Sequence, residues 1–471
     1  MSALVDKKVQ EEVVIFFSVL KWIILATIIG VIVGAATSLF LYILNYSIAF
    51  ASVYNSYYYI LPLAFLVSVL LVKYLAPEAA GHGTEKVIEA VHRRSGKMNP
   101  LVVPVKLAAT IITLASGGSA GKEGPCAQIG AGLSSLFADI FKFDNTDRKK
   151  LVICGISAGF GAVFGTPISG AIFGVEVLLI GSILYDVLLP SFIAGITSFQ
   201  IASYLGIEYS YHKIYFIPIK FSELLYLKVI LAGIFFGFCS LILIESLHLS
   251  EKISSKIKLD KSYKAIIGGL ALILMAKLFS TDYLGLGLGT LEKVIDGGTV
   301  VWYAFLLKIL FTSITLGFGG SGGIVTPIFF IGATAGAAYA QFMGLDIAMF
   351  AAIGFVSLLA GSANTPIAAS IMAVEVFGAR VAPYAAVACV VSFVITGHRS
   401  VYPSQILAFK KSNSLNVELG GEIDDSNTDI NIEKSSMIKL ASSYYNNFLN
   451  KNEKNNKKDK ENKEDKEDKE D

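Results

Sequence analysis

Glu123 is the residue of this chain best placed to do chemistry. It lies in Gly117–Pro125, GGSAGKEGP, which leads into an apolar run. Glycines 117, 118, 121 and 124 disfavour a regular helix before this point. Pro125 suits the first turn of a helix, where its missing N–H costs nothing. The free N–H groups of such a turn, reinforced by the helix dipole, make an anion site. The Glu123 carboxylate can fill that site itself. Protonation would weaken its hold and admit a free anion, so one side chain supplies a protonatable gate. The competing reading is a helix cap facing water, but acids within membrane segments are functional by default. Gly121 and Gly124 flank Glu123 as backbone partners for the anion, with Lys122 as a supporting charge.

A second segment has the same build without the acid. Gly319–Pro327 reads GGSGGIVTP and matches the first at five of nine positions. Ile324 and Val325 replace Lys122 and Glu123, and their N–H groups would bind an anion with no side-chain gate. Two helix starts converging on one place would form a dehydrated anion site. Gly81-His82-Gly83-Thr84 opens another helical stretch. His82 is therefore a candidate donor, against the plainer reading of a loop histidine. Tyr402, between Val401 and Pro403, offers a hydroxyl; the plainer reading is an interfacial tyrosine. Lys106 lies inside the apolar run Leu101–Ala115. A lysine there needs a partner, water or a path to the interface, and near the site it would supply positive potential.

Other chemistries fit poorly. Both Gly-rich segments match G-x-S-x-G, the turn that presents a hydrolase serine. No strand precedes either, and none of the five histidines is an evident base, so an intramembrane enzyme is a distant alternative. Residue 116 is Ser rather than Gly and Glu follows Lys122, unlike a phosphate loop. Cys126, Cys154, Cys239 and Cys389 are scattered through apolar runs without a CxxC pair, so no metal site or disulfide is expected. A net charge of +2 carries no nucleic-acid signature. No cofactor is expected.

The elements that must hold these residues are apolar. Of the 471 residues, 54% are hydrophobic and only 16% charged, against a globular norm near 25% charged. Much of that charge is set apart: Lys451–Asp471 carries 8 Lys and 9 Asp or Glu. The remainder reads as a multi-pass protein in a lipid bilayer. Val13–Phe50 is a first span, and apolar stretches recur to about residue 395. Among them Leu151–Ile180 reads as one stretch. Several others are shorter than the roughly 20 residues of a full span and are broken by Gly or Pro.

The halves repeat. Beyond the Gly-rich segments, Ile129–Ala131 recurs as Ile331–Ala333. Thr166-Pro167-Ile168 before Val175-Glu176-Val177 recurs as Thr365-Pro366-Ile367 before Val374-Glu375-Val376. Repeated halves are typical of transporters whose site lies at the repeat interface. The expected organisation is a short N-terminus (1–12), a first membrane repeat (13–207), a connecting loop (208–222), a second repeat (223–411) and a charged, largely disordered tail (412–471). A short amphipathic helix is expected at Met437–Leu449.

These residues resemble the CLC family of chloride channels and chloride/proton antiporters. Gly121-Lys122-Glu123-Gly124-Pro125 looks like its G(K/R)EGP motif. Gly323–Pro327 is similar to GxFxP, and Val401-Tyr402-Pro403 also fits in order and spacing. The resemblance implies an all-α polytopic membrane protein of two inverted repeats with tilted, broken helices. It further implies a homodimer with one anion pathway per subunit and both ends cytoplasmic, in the cell membrane. Glu123 would be the external gate, Ile324 and Val325 the backbone donors, Tyr402 the coordinating hydroxyl and Lys106 the buried lysine. Three departures stand out. His82 replaces the serine that contacts the central anion. Val325 replaces a phenylalanine. Val177 stands where many antiporters carry an inner proton-transfer acid, leaving Glu176 beside it as a supporting group. The expected function is chloride transport, coupled to protons through Glu123, with a passive voltage- or pH-gated channel as the alternative.

Overall fold

The computed structural model describes residues 2–209, 211, 223–423 and 431–432. Sixteen α-helices fall within them. The expected connecting loop lies almost wholly outside the described residues, as does the helix expected at Met437–Leu449.

The helices form two series of eight in matching order. The first runs α1 (Ser2–Ser52), α2 (Leu61–Leu75), α3 (Thr84–Arg93), α4 (Val102–Ala115), α5 (Glu123–Ile140), α6 (Asn145–Phe164), α7 (Pro167–Glu176) and α8 (Tyr185–Tyr204). The second runs α9 (Glu223–Lys256), α10 (Lys261–Leu278), α11 (Leu288–Ile295), α12 (Ala304–Gly317), α13 (Val325–Met343), α14 (Ile347–Ala363), α15 (Pro366–Phe377) and α16 (Ala382–Ile395). Among the described residues, five helices are long and apolar enough to cross a bilayer: those of α1, α8, α9 and α13, and the Tyr57–Leu75 helix that contains α2. The rest are short or less apolar, and the sequence shows what stops them. Leu151–Ile180 is not one element. Gly165 takes φ +72° after α6, and Pro167 then opens α7, so a left-handed C-terminal residue ends one helix and an N-terminal proline begins the next.

The halves run in opposite directions where they meet. Glu176 at the end of α7 accepts hydrogen bonds from Ile367 N (3.0 Å) and Ala368 N (2.8 Å) at the start of α15. Glu375 near the end of α15 accepts them from Ile168 N (3.0 Å) and Ser169 N (2.8 Å) at the start of α7. Each helix thus caps the other, which requires an antiparallel pair. Carboxylates on otherwise orphaned N-terminal amides satisfy those groups and complement the dipole.

Ordered structure extends beyond the expected membrane repeats at both ends. α1 already includes the N-terminal segment from Ser2, because Val13 onward is apolar and nothing upstream breaks the helix. The packed chain also passes residue 411. Strand β1 (Leu179–Ile180) pairs in parallel with β2 (Ile406–Leu407). Val417 and Ile423 are buried beside them, and Arg93 on α3 makes a two-pronged ion pair with Glu422, at 2.7 and 2.6 Å. A small apolar cluster and a bidentate contact therefore hold residues 412–423 against the membrane part.

Candidate functional site

The two Gly-rich segments are built identically. After α4, Gly117 adopts φ +97° and Gly118 N donates to Thr113 O at 2.8 Å; after α12, Gly319 adopts φ +103° and Gly320 N donates to Thr315 O at 2.8 Å. Each segment is then bonded to the other half. Ser119 N donates to Thr315 Oγ1, and Ser321 N to Thr113 Oγ1, both at 3.0 Å. Gly121 and Gly323 exchange both backbone hydrogen bonds, at 2.7 and 2.6 Å. This antiparallel bridge sets the N-termini of α5 and α13 face to face.

Glu123 crosses the gap. Its Oε2 accepts from Thr326 N at 3.0 Å, and the Thr326 hydroxyl donates to the carboxylate at 2.6 Å. The side chain is almost fully buried. A carboxylate therefore sits on the N-terminus of α13 as an anion would. At the equivalent place in the second half stands Val325, also buried. Ile324 and Val325 open α13 as expected, but the backbone donor that Glu123 uses is one residue further on. Thr326 was not foreseen. Its signal was the Thr-Pro pair in the second segment, where the first has Gly-Pro. Lys122 is half-buried at the N-cap of α5.

Gly81–Thr84 packs directly behind Gly124. A Cβ on Gly83 would stand 2.5 Å from the Gly124 carbonyl oxygen, and one on Gly124 would overlap the His82 carbonyl. Both positions must be glycine for these backbones to meet. Three polar atoms here are buried without a partner: His82 Nδ1, Thr84 Oγ1 and Tyr402 Oη. Buried polar groups are nearly always satisfied, so three orphans in one place mark a site for an absent partner. Lys106 does not reach the interface. It is fully buried and donates to Gly81 O (2.6 Å) and Ala79 O (3.2 Å), holding this segment in place. Lys308 repeats the contact in the other half, on Gly285 O (2.9 Å) and Tyr283 O (3.1 Å).

Two other predicted groups lie elsewhere. Glu176 has both oxygens engaged by α15 and is not among the partners of Glu123. Val177 is buried, and its carbonyl accepts from Gln405 Nε2 at 2.8 Å. The hydroxyls of Ser119 and Ser321 meet Thr312 (3.0 Å) and Thr110 (3.4 Å). A cavity of about 670 Å³ is lined by Gly81 and Ser321 together with Lys73, Lys261, Lys264 and Glu251; Lys73 is paired with Asp260 at 2.8 Å.

A family profile described as "Voltage gated chloride channel" matches residues 63–397. The chain belongs to this family, the CLC family. The "Chloride/fluoride channel protein" of Pseudomonas syringae pv. tomato is 34% identical over 83% of this chain and 87% of its own length. The "Voltage-gated ClC-type chloride channel ClcB" of Escherichia coli is 27% identical over 68% of this chain and 79% of its own. Among solved structures, a CLC-type fluoride/proton antiporter superposes with a TM-score of 0.79 at 28% identity, covering 83% of this chain and 98% of that one. A slow cyanobacterial Cl⁻/H⁺ antiporter shares the fold, with a TM-score of 0.69 at 21% identity, covering 80% and 94%. The protein is thus a multi-pass helical membrane protein of CLC fold, and its activity is CLC-type anion transport.

Proposed function

We propose that this CLC protein exchanges a small halide for protons, with fluoride preferred to chloride, and that Glu123 is the gate. The observation that carries the reading is the Glu123 carboxylate on Thr326 N and Oγ1. As a carboxylate it competes with the halide for those donors. Protonation removes its charge, weakens both hydrogen bonds and frees them for the anion. Occupancy by anion and by deprotonated Glu123 then exclude one another, which is the requirement for exchange.

Tyr402 Oη and His82 Nδ1 are the further donors, with Gly121, Gly124, Ile324 and Val325 as the backbone frame. Lys106 positions Gly81. Fluoride demands the most hydrogen bonding of the halides, and this site has hydroxyl donors at Thr326 and Tyr402. The fluoride named for the Pseudomonas relative and for the antiporter structure supports the same choice.

The remaining features follow the same reading. The protein is a homodimeric transporter rather than an enzyme, and Ile168 and Ile367, equivalent in the two halves, are exposed apolar positions suited to a partner subunit. Lys21 on α1 pairs with Asp147, and Arg93 pairs with Glu422. These contacts put Lys21 of α1 and the C-terminal segment beside the basic turns at 93–97 and 142–150. Positive charge favours the cytoplasmic side, so both ends are assigned to the cytoplasm of a cell-membrane protein. The two membrane repeats are 13–207 and 223–411, with 412–423 packed against them.

The test uses purified protein in liposomes with a fluoride or chloride gradient, no proton gradient and voltage clamped by potassium and valinomycin. Fluoride-driven proton movement against its own gradient is the expected result. Anion flux without proton movement would establish the channel reading, which the apolar Val177 favours.

A further inference from the structure

Exchange needs a proton route between Glu123 and the opposite side of the membrane, and Val177 contributes no titratable group to it. Glu176 is also unsuited, since both of its oxygens are engaged by N–H groups of α15. The other acids near this end are ion-paired: Glu78 with Arg94, Glu89 with Lys86 and Glu422 with Arg93.

Glu85 differs from all of them. It stands in the first turn of α3, three residues after His82. Its Oε1 accepts from the backbone N and the hydroxyl of Ser404. Its Oε2 is buried without a partner, and among the described residues no other carboxylate oxygen is in that position. A tether between α3 and the Tyr402 loop needs one oxygen. The second is left over, at a point where a proton would satisfy it.

The nearest group that could relay a proton is a hydroxyl, though it is bonded to neither acid. The Tyr402 hydroxyl, itself buried and unpartnered, lies beside Thr84 and within electrostatic reach of both Glu85 and Glu123. The charged groups that act on Glu85 are Lys86 and Glu89, both on its own helix; from the facing loop it meets Ser404 and Tyr402. The residue as a whole is only partly buried, so one end of the carboxylate is enclosed while the side chain keeps a route to solvent.

We propose that Glu85 is the second proton carrier of this transporter, exchanging protons with Glu123 by way of the Tyr402 hydroxyl. The transfer requires the Tyr402 hydroxyl to come within hydrogen-bond distance of both acids: the proton on Glu123 then passes to the phenolic oxygen as the phenol's own proton passes to Glu85 Oε2. Glu123 ends as a carboxylate, Glu85 as the acid and Tyr402 unchanged. The inference rests on the proton-exchange reading above.

The experiment measures fluoride and proton fluxes together in liposomes containing the full chain, its Glu85→Gln form, its Glu85→Asp form and its Ser404→Ala form. With the unaltered protein coupled, Glu85→Gln should keep fluoride flux but lower the proton-to-fluoride ratio about a hundredfold, the low end of the range for one positioned proton-transfer group. Glu85→Asp should restore much of that ratio. Ser404→Ala breaks the tether and leaves the acid, so its ratio should stay near that of the unaltered chain. An unchanged ratio in Glu85→Gln would overturn the role of Glu85 while exchange itself stood. A ratio lost equally in Ser404→Ala would reduce Glu85 to a structural tether and overturn it also. Absence of proton movement in the unaltered protein would overturn both readings. If Glu85→Gln does not assemble, Glu85→Asp and Ser404→Ala still decide: the aspartate form must hold at least part of the ratio, and the alanine form all of it.

Discussion

The two halves of this molecule agree almost everywhere and disagree in a few places. Lys106 and Lys308 each hold two carbonyls of the segment before a short helix. Glu176 and Glu375 each cap the other's helix. Ser119 and Ser321 each reach threonines of the opposite half. These matched pairs build the crossing. The mismatched pairs stand at its centre: Glu123 faces Val325, and His82 corresponds to Leu286. Equal contacts serve a scaffold that needs symmetry. An ion that enters from one side, and a proton that must be held at one point, need the symmetry broken.

The largest test of this division is Glu123→Gln. It keeps the shape of the gate and removes its titration. Proton movement driven by fluoride should fall about a hundredfold, the low end of what a positioned acid–base group contributes. Anion flux should persist and lose its pH dependence, because no charge then competes for Thr326. Flux ratios in liposomes across a pH series check this. A pH profile that survives in the variant would remove the gate from Glu123 and place it among groups the two halves share.

How far this division could be read in the sequence depends on the kind of contact. GGSAGKEGP and GGSGGIVTP announce both helix starts, since Gly and Pro act locally on the backbone. Glu123 stands out because a charge in an apolar membrane run is costly and persists only where it has a task. Thr326 does not, since a hydroxyl beside a proline is an ordinary helix start until an acid 203 residues away is seen to meet it. Lys308 was accessible in principle, lying 202 residues after Lys106 within the repeat. The packing of residues 412–423 was hidden because that stretch is polar overall, and its burial rests on Val417 and Ile423, with Leu415 beside them. Glu85 looked like a first-turn acid. Its unpartnered oxygen exists only in three dimensions.

A smaller effect is expected at the second broken pair. His82→Ser removes the ring Nδ1, which is buried without a protein partner. Fluoride and chloride differ most in how much they gain from a close donor. Loss of one hydrogen bond of roughly 1 kcal/mol corresponds to a change of about fivefold in their relative transport. Competition between the two anions, measured with ion-selective electrodes, reads it directly. Identical preference in the variant would take His82 out of the anion path and assign the asymmetry to Glu123 alone.

The smallest effect on transport, and the sharpest on the comparison, belongs to the matched acids. Glu176→Gln and Glu375→Gln each leave one carbonyl acceptor for two N–H donors and turn an amide group toward the other. Glu176→Gln should destabilise the protein by about 1–3 kcal/mol, the usual cost of a buried hydrogen-bonding group left without its partner. Glu375→Gln should cost less, because Glu375 is only partly buried although the donor geometry is the same at both ends of the α7–α15 pair. Neither should alter the proton-to-fluoride ratio, since a carboxylate with both oxygens held by amides must weaken those bonds to take a proton. Both acids are followed by valine, but Val177 is the one at the place expected for an inner acid, so Glu176 is the residue on which the comparison turns. If Glu176→Gln lowered the ratio and Glu375→Gln did not, the pair would be matched in geometry but not in function, and Glu176 rather than Glu85 would carry the proton.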